Sequence, residues 1–268
     1  MIAYKKASPA REWHFRGIIH LLKKNDKRSK EICAVVLPLT YKAMTEFYSQ
    51  HTKFYVSVDC IILGFEGNQL QVLIGKRKME PGCGEWSLYG GFVKGDESLD
   101  DAARRVVHDL TGMNDVYMHQ VGAYGAIDRD PGDRVISVAY YTLINVKDYD
   151  DKLREKYGVE LVKLEELPDL YSDHKSMIMD ALEHIRCNIK TQPLSFHLLP
   201  ELFTLTQLQH VYEAILGKEL DKRNFRKSVK QVDLIQPTDK IDHTMSRSGA
   251  RLYRFNQEKY EEDPTFKL

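Results

Sequence analysis

The chain has 268 residues, with 39 Lys+Arg balanced by 39 Asp+Glu and a hydrophobic share of 43%, which excludes a wholly disordered chain and a bulk polycation. That length favours two domains over one. Cys33, Cys60, Cys83 and Cys187 stand far apart with no Cys-x-x-Cys pair, which argues against a zinc site and fits the reducing cytoplasm, and no apolar run approaches the roughly 20 residues of a bilayer span.

Residues 1–43 carry ten cations (Lys5, Lys6, Arg11, Arg16, Lys23, Lys24, Lys27, Arg28, Lys30, Lys42) against three anions (Glu12, Asp26, Glu31) and keep no helical or strand period. The expectation is an N-terminal extension that is not native or is disordered, with Met44 as the true start. The alternative is a basic arm for nucleic acid. The longest apolar run there, 32–39, is interrupted by Pro38 and has no small-residue cleavage site, so no signal peptide is expected.

From Phe54 to Phe65 the chain is rich in β-branched and aromatic residues and reads as a buried strand. Glu66-Gly67-Asn68 turns it into a second strand, Gln69 to Arg77. A Pro/Gly loop, Lys78 to Glu85, leads into Trp86-Ser87-Leu88-Tyr89-Gly90-Gly91-Phe92. A helix follows, which Asp96 or Ser98 can cap and whose first turn carries Asp100 and Asp101 at the positive end of the dipole. Strands are expected over 116–126 and 135–145, flanking a charged turn from Asp128 to Arg134. A closing strand and Leu-Pro turn are expected over 160–170, then a helix from Asp173 or His174 to Lys190.

Gln192-Pro193 marks a junction. Thr204 with Gln207 three positions on is a capping-box pattern. Leu205, Leu208, Val211, Tyr212, Ile215 and Leu216 then recur at helical spacing until Gly217 stops them. Asp221 caps a second helix, with Phe225, Val229 and Val232 on one face and Arg223, Arg226, Lys227 and Lys230 on the other. Leu234 to Gln236 and Leu252 to Phe255 read as a β wing. Two helices joined by a tight turn, the second apolar on one side and cationic on the other, is a helix-turn-helix arrangement. Between Lys222 and Arg254, nine cations face three anions, a local excess on a neutral protein. DNA affinity comes largely from neutralising phosphates, so Lys222, Arg223, Asn224, Arg226, Lys227, Lys230, Arg247 and Arg251 are the candidate DNA contacts, with Arg223 and Asn224 placed to reach base edges. The plain alternative is a solvated helix face.

The stretch from Gly90 to Met113, GGFVKGDESLDDAARRVVHDLTGM, resembles a Nudix box. Laid from Gly91, it supplies Gly91, Glu97, Arg105, Val107, Gly112 and Met113 of the pattern Gly-x5-Glu-x7-Arg-Glu-apolar-x-Glu-Glu-x-Gly-apolar. The resemblance implies a strand–loop–helix unit that holds magnesium and cleaves nucleoside diphosphates linked to another moiety. The departures are chemical. Val106 and Leu110 replace glutamates and have no oxygen for a cation that requires near-octahedral oxygen ligands. Asp109 is one methylene short of the third. The box is therefore degenerate, with no metal, cofactor or catalytic residue expected and a ligand bound without efficient cleavage. Restoring glutamate at 106, 109 and 110 should revive hydrolysis only if the rest of the site survives. Leu99, Ala102, Ala103, Val106, Val107 and Leu110 also make an ordinary buried stripe.

Together with GAIDRDPGDRVISVAYY and LPELFTLTQLQHVYEAILG followed by DKRNFRKSV, the chain from Met44 onward resembles the Nudix-related transcriptional regulators, and is nearer the arabinose-responsive than the ADP-ribose-sensing members. The resemblance implies an α+β chain: a Nudix fold, with a mixed sheet sandwiched by helices, over 44–191, then a winged helix-turn-helix over 192–268. It implies a repressor acting as a homodimer on operator DNA, its effector L-arabinose, another sugar or ADP-ribose. Candidate effector contacts are Arg77, Trp86, Asp128, Arg129, Asp130 and Arg134, since guanidinium suits phosphate or vicinal hydroxyls and indole suits a sugar face. The competing expectations are a self-paired turn at 128–134, a core Trp86, an active hydrolase using Glu97 and Asp109, and an interaction module with no DNA role.

Overall fold

The computed structural model describes residues 47–114, 116–149, 151–243 and 249–268. The expectations for residues 1–43 and for Arg247 lie outside the described residues. Of the first 53 residues, one helical turn over 47–49 is described, with Phe47 edge-on to Tyr48 and His51.

The sheet grows from β1 (Tyr55–Glu66) and β2 (Gln69–Lys76), paired antiparallel around the Gly67-Asn68 turn. Both turn residues adopt positive φ, which glycine and asparagine tolerate best. The short strands β3 (Trp86–Ser87) and β4 (Tyr89–Phe92) pair with β2 and β1. Across the charged turn, β5 (Met118–Tyr124) pairs antiparallel with β6 (Val135–Ile144), and β6 runs parallel to β1 over ten register positions. A helix that the sequence pattern did not announce, α2 (Asp151–Tyr157), precedes β7 (Val159–Lys163), which closes on β2. The seven strands form one mixed sheet.

Strand alternation sends β1 side chains to two faces. Val58, Cys60 and Ile62 pack under α1 (Leu99–Thr111) through its Ala102, Ala103, Val106, Val107 and Leu110. Ile61 and Leu63 pack under α3 (His174–Asn188) through Met177, Ile178, Ala181, Leu182 and Ile185. The sheet is thus sandwiched by helices, as a Nudix fold requires. Among the described residues no helix is long and apolar enough to cross a membrane.

The second half follows a 3₁₀ segment, Leu194–Leu198. It comprises β8 (Phe203–Thr204), α4 (Leu205–Leu216), α5 (Lys222–Val229), β9 (Ile235–Asp242), β10 (Ala250–Phe255) and α6 (Gln257–Glu262), with sheet order β8-β10-β9. The wing strands run longer than expected. Across the Gln192-Pro193 junction the apolar cluster does not break. Val72, Ile74, Tyr141 and Leu143 of the large sheet belong to the same buried cluster as Leu198, Leu208, Val211 and Ile215, and residues 54–268 form one compact unit.

Candidate effector site and nucleic-acid interface

The box begins where two glycines cross β1. A Cβ at Gly90 would lie 2.3 Å from both Asp59 Oδ1 and the Val58 carbonyl, so the first glycine exists to admit a carboxylate. The loop then reaches Ser98, whose hydroxyl accepts from the Asp101 amide while the Asp101 carboxylate accepts from the Ser98 amide, a closed capping box on α1. Gly112 ends the helix in the left-handed conformation.

The glutamate that survives is committed. Arg105 donates Nε to Glu97 Oε2 at 2.9 Å and Nη2 to Oε1 at 2.6 Å, and the Lys94 amide donates to Oε1 at 2.9 Å. The Arg105 bonds, helped by the Lys94 amide, hold the Glu97 carboxyl down at about 2. Val106 and Leu110 are 5% and 1% exposed, in the cluster under α1. They are core residues, so glutamates restored there would enter a packed interior. Asp109 is exposed. Among the described residues no three His, Cys, Asp or Glu side chains group as a metal site.

The opposite face of the sheet holds a buried ionic cluster that sequence reasoning missed, apart from Arg129. Asp59 accepts from the Ser137 hydroxyl at 2.5 Å, and Arg129 Nη2 and His174 Nε2 stand 3.7 and 3.8 Å from its Oδ2. Arg129 grips Asp173 with two bonds, Nε–Oδ2 2.9 Å and Nη2–Oδ1 2.7 Å. Burial pushes the Asp173 carboxyl up, but the Arg129 bonds outweigh it and the net displacement is downward. His174 Nδ1 accepts the Leu88 amide at 3.1 Å, which puts the ring proton on Nε2, and burial holds the imidazole below its ordinary pKa despite Asp59 and Asp173. The Tyr171 hydroxyl beside it is buried with no hydrogen-bond partner among the described residues.

The other candidate effector residues are already engaged to different degrees. Arg77 donates Nε to the Pro81 carbonyl at 2.8 Å and stacks 4.0 Å over Tyr171. Trp86 is half-buried under Lys76. Arg134 is spent on the Gly125 and Ala126 carbonyls, Asp130 accepts from the Gly132 amide, and Asp128 is exposed. The charged turn braces itself, while Arg129 alone turns inward.

In the second half, Thr204 and Gln207 close a reciprocal cap on α4, Gly217 ends it in the left-handed conformation, and the Asp221 carboxylate caps α5 through the Asn224 amide. Gln209 and Glu213 bind the Leu220 backbone, fixing the turn between the helices. Phe225 and Val229 are buried, with Phe225 packed 5.4 Å from the Tyr212 ring. Lys222, Arg223, Asn224, Arg226, Lys227 and Lys230 are all exposed, and all but Asn224 line one open groove with Asp221. Arg251 is exposed on the wing. This geometry presents a row of cations on a helix that can enter a groove.

A NUDIX domain model matches residues 53–181 and a model of the NrtR DNA-binding winged helix domain matches residues 195–255. The ADPR responsive transcriptional repressor NtrR of Acinetobacter baylyi is 32% identical over 234 residues, 84% of this chain and 93% of that protein. An ADP-ribose pyrophosphatase of Methanocaldococcus jannaschii is 33% identical over 113 residues, 41% of this chain and 64% of that enzyme. The crystal structure of Shewanella oneidensis NrtR complexed with a 27mer DNA superposes at TM-score 0.71 with 28% identity, covering 80% of this chain and 97% of that one. With its Nudix fold joined to a winged helix, the chain belongs to the NrtR family of Nudix-related transcriptional regulators.

Proposed function

We propose that this chain is a cytoplasmic ligand-responsive repressor that binds operator DNA as a homodimer, with residues 44–191 binding the effector and residues 192–268 reading DNA. The observation that carries this is the pairing of two features: a box helix with core residues, Val106 and Leu110, at two of the three glutamate positions, and a capped helix, α5, whose cationic face is exposed, with a wing beside it. The effector is taken up without efficient hydrolysis, because Glu97 is locked to Arg105 and positions 106 and 110 carry no oxygen. ADP-ribose is the effector favoured by the Acinetobacter relative. A second reading, L-arabinose or another small neutral sugar, is favoured by the candidate contacts themselves: Arg77, Arg129 and Arg134 are each engaged by protein groups, whereas a pyrophosphate asks for available cations. An active hydrolase is favoured by the partial match to the Methanocaldococcus pyrophosphatase.

Fluorescence anisotropy on promoter-region DNA fragments tests the proposal. Arg223→Ala with Lys227→Ala should weaken binding and flatten its logarithmic salt dependence by roughly 1 for each phosphate no longer neutralised. Unchanged retention would favour an interaction module without a DNA role.

A further inference from the structure

Helix α3 touches the buried ionic cluster with its first turn and the winged helix with its last. At its start Asp173 holds Arg129, and His174 holds the Leu88 amide and faces Asp59. At its end Arg186 donates Nε to the Ile215 carbonyl at 2.8 Å, Tyr212 donates its hydroxyl to the Ile189 carbonyl at 3.0 Å, and the Leu268 amide donates to the Lys190 carbonyl at 3.0 Å. The Ile215 and Ile189 acceptors are helix-end carbonyls that have no partner within their own helix, and Lys190 follows the C-cap of α3 directly. The polar fastening therefore sits at the end of the rod, and apolar packing continues along it. Between the ends, Met177, Ile178, Ala181, Leu182 and Ile185 are buried, and 15 helical residues span roughly 22 Å.

Three routes could carry a signal from a Nudix domain to α5: a hinge, the rod α3, or the β1–β2 turn, where Asn68 Oδ1 stands 2.9 Å from His210 Nδ1 of α4. The last is an exposed side-chain bond that does not touch the ionic cluster. A hinge at Gln192-Pro193 would need few contacts across it, yet one apolar cluster runs through both halves. A packed interior transmits displacement and does not absorb it. We infer that α3 is the transmitting element of this regulator, a rod whose N-terminal latch is the Arg129–Asp173 pair and whose C-terminal clamp is Arg186 and Tyr212. A change at the latch moves α4, and with it the recognition helix, as one body. This rests on the reading of the Nudix domain as a sensor.

Hydrogen–deuterium exchange by mass spectrometry on the full chain tests the inference without knowledge of the effector. Arg129→Gln, or the near-isosteric Asp173→Asn should the first not fold, opens the latch. Exchange in Leu205–Leu216 should then change by about threefold or more, on the scale of a sub-global opening. Adding Arg186→Leu and Tyr212→Phe should stop the change before residue 205. Change confined to the latch and the first turn of α3 would overturn the inference. So would an equal response of 205–216 to Leu110→Ala, which loosens the core on the other face without touching α3. The wild type with ADP-ribose, and separately with L-arabinose, separates the two proposals. If neither sugar nor nucleotide alters exchange while Arg129→Gln still reaches α4, the sensor reading fails and transmission stands. If a ligand protects the Nudix half alone, transmission fails and the sensor stands.

Discussion

Asp173→Asn removes one charge from a pair whose arginine side chain is 5% exposed and whose carboxylate is 24% exposed. Breaking a buried pair by removing one partner costs about 3–5 kcal/mol, because the remaining charge is left without compensation. Asparagine keeps one acceptor oxygen toward Arg129, which puts the expected loss near the lower end, about 3 kcal/mol. With a urea slope of about 2–3 kcal/mol/M, the midpoint should fall by roughly 1 M. The pH dependence follows from sign. Asp173 has its folded pKa depressed, so its stabilisation is present in full above the unfolded carboxyl value of about 3.9 and is lost as pH falls through the folded value. Urea unfolding followed by tryptophan fluorescence should therefore separate wild type from variant at pH 7 and bring them together toward pH 3. A difference below about 0.5 kcal/mol at pH 7, the range of an exposed pair, would refute the latch, as would a difference that persists undiminished at pH 3.

Thr204→Ala removes the hydroxyl that accepts the Gln207 amide, while the residue 204 amide still donates to Gln207 Oε1, and should cost about 1 kcal/mol by the same urea assay. Leu110→Glu loses a fully buried aliphatic side chain, about 2–5 kcal/mol, and buries a carboxyl whose folded pKa must rise. Its penalty therefore grows as pH climbs above the unfolded value of about 4.3, and thermal melts should show the variant worse at pH 7 than at pH 4.5. For the same reason the triple restoration Val106→Glu, Asp109→Glu, Leu110→Glu should lose the fold before it gains AMP release from ADP-ribose. Cys60 is buried and its thiol is pushed far up, first by burial and then by Asp59, whereas Cys83 and Cys187 are exposed. Iodoacetamide with peptide mapping should label those two in the native protein and Cys60 only after unfolding.

What could be read from the chain was local. Thr204 with Gln207, Gly217, and Asp221 before Phe225 and Val229 signal helix ends and one buried face within a dozen residues, and the structure reproduces each. The box spacing from Gly91 to Met113 worked for the same reason, since strand, loop and helix are contiguous. The ionic cluster could not be read this way. Asp59 and Ser137 are polar residues in mostly apolar strands, 78 positions apart. Only the parallel pairing of β1 with β6 brings them together, and only the fold of α3 adds Asp173 and His174. Arg129 was singled out, but its direction was not legible: an arginine in a charged turn looks outward until its partner is known. The apolar periods of α3 and α4 announced buried faces without naming what covers them. The junction at Gln192-Pro193 therefore gave no sign that one core continues across it.

The measurement that bears most directly on a sensor that does not cleave is made on the loaded complex. Protein bound to a labelled promoter fragment is mixed with ADP-ribose and Mg²⁺, anisotropy is followed, and the nucleotide is recovered afterwards. The expected result is DNA released and ADP-ribose recovered intact. AMP accumulating in proportion to time, with the DNA still held, would contradict it.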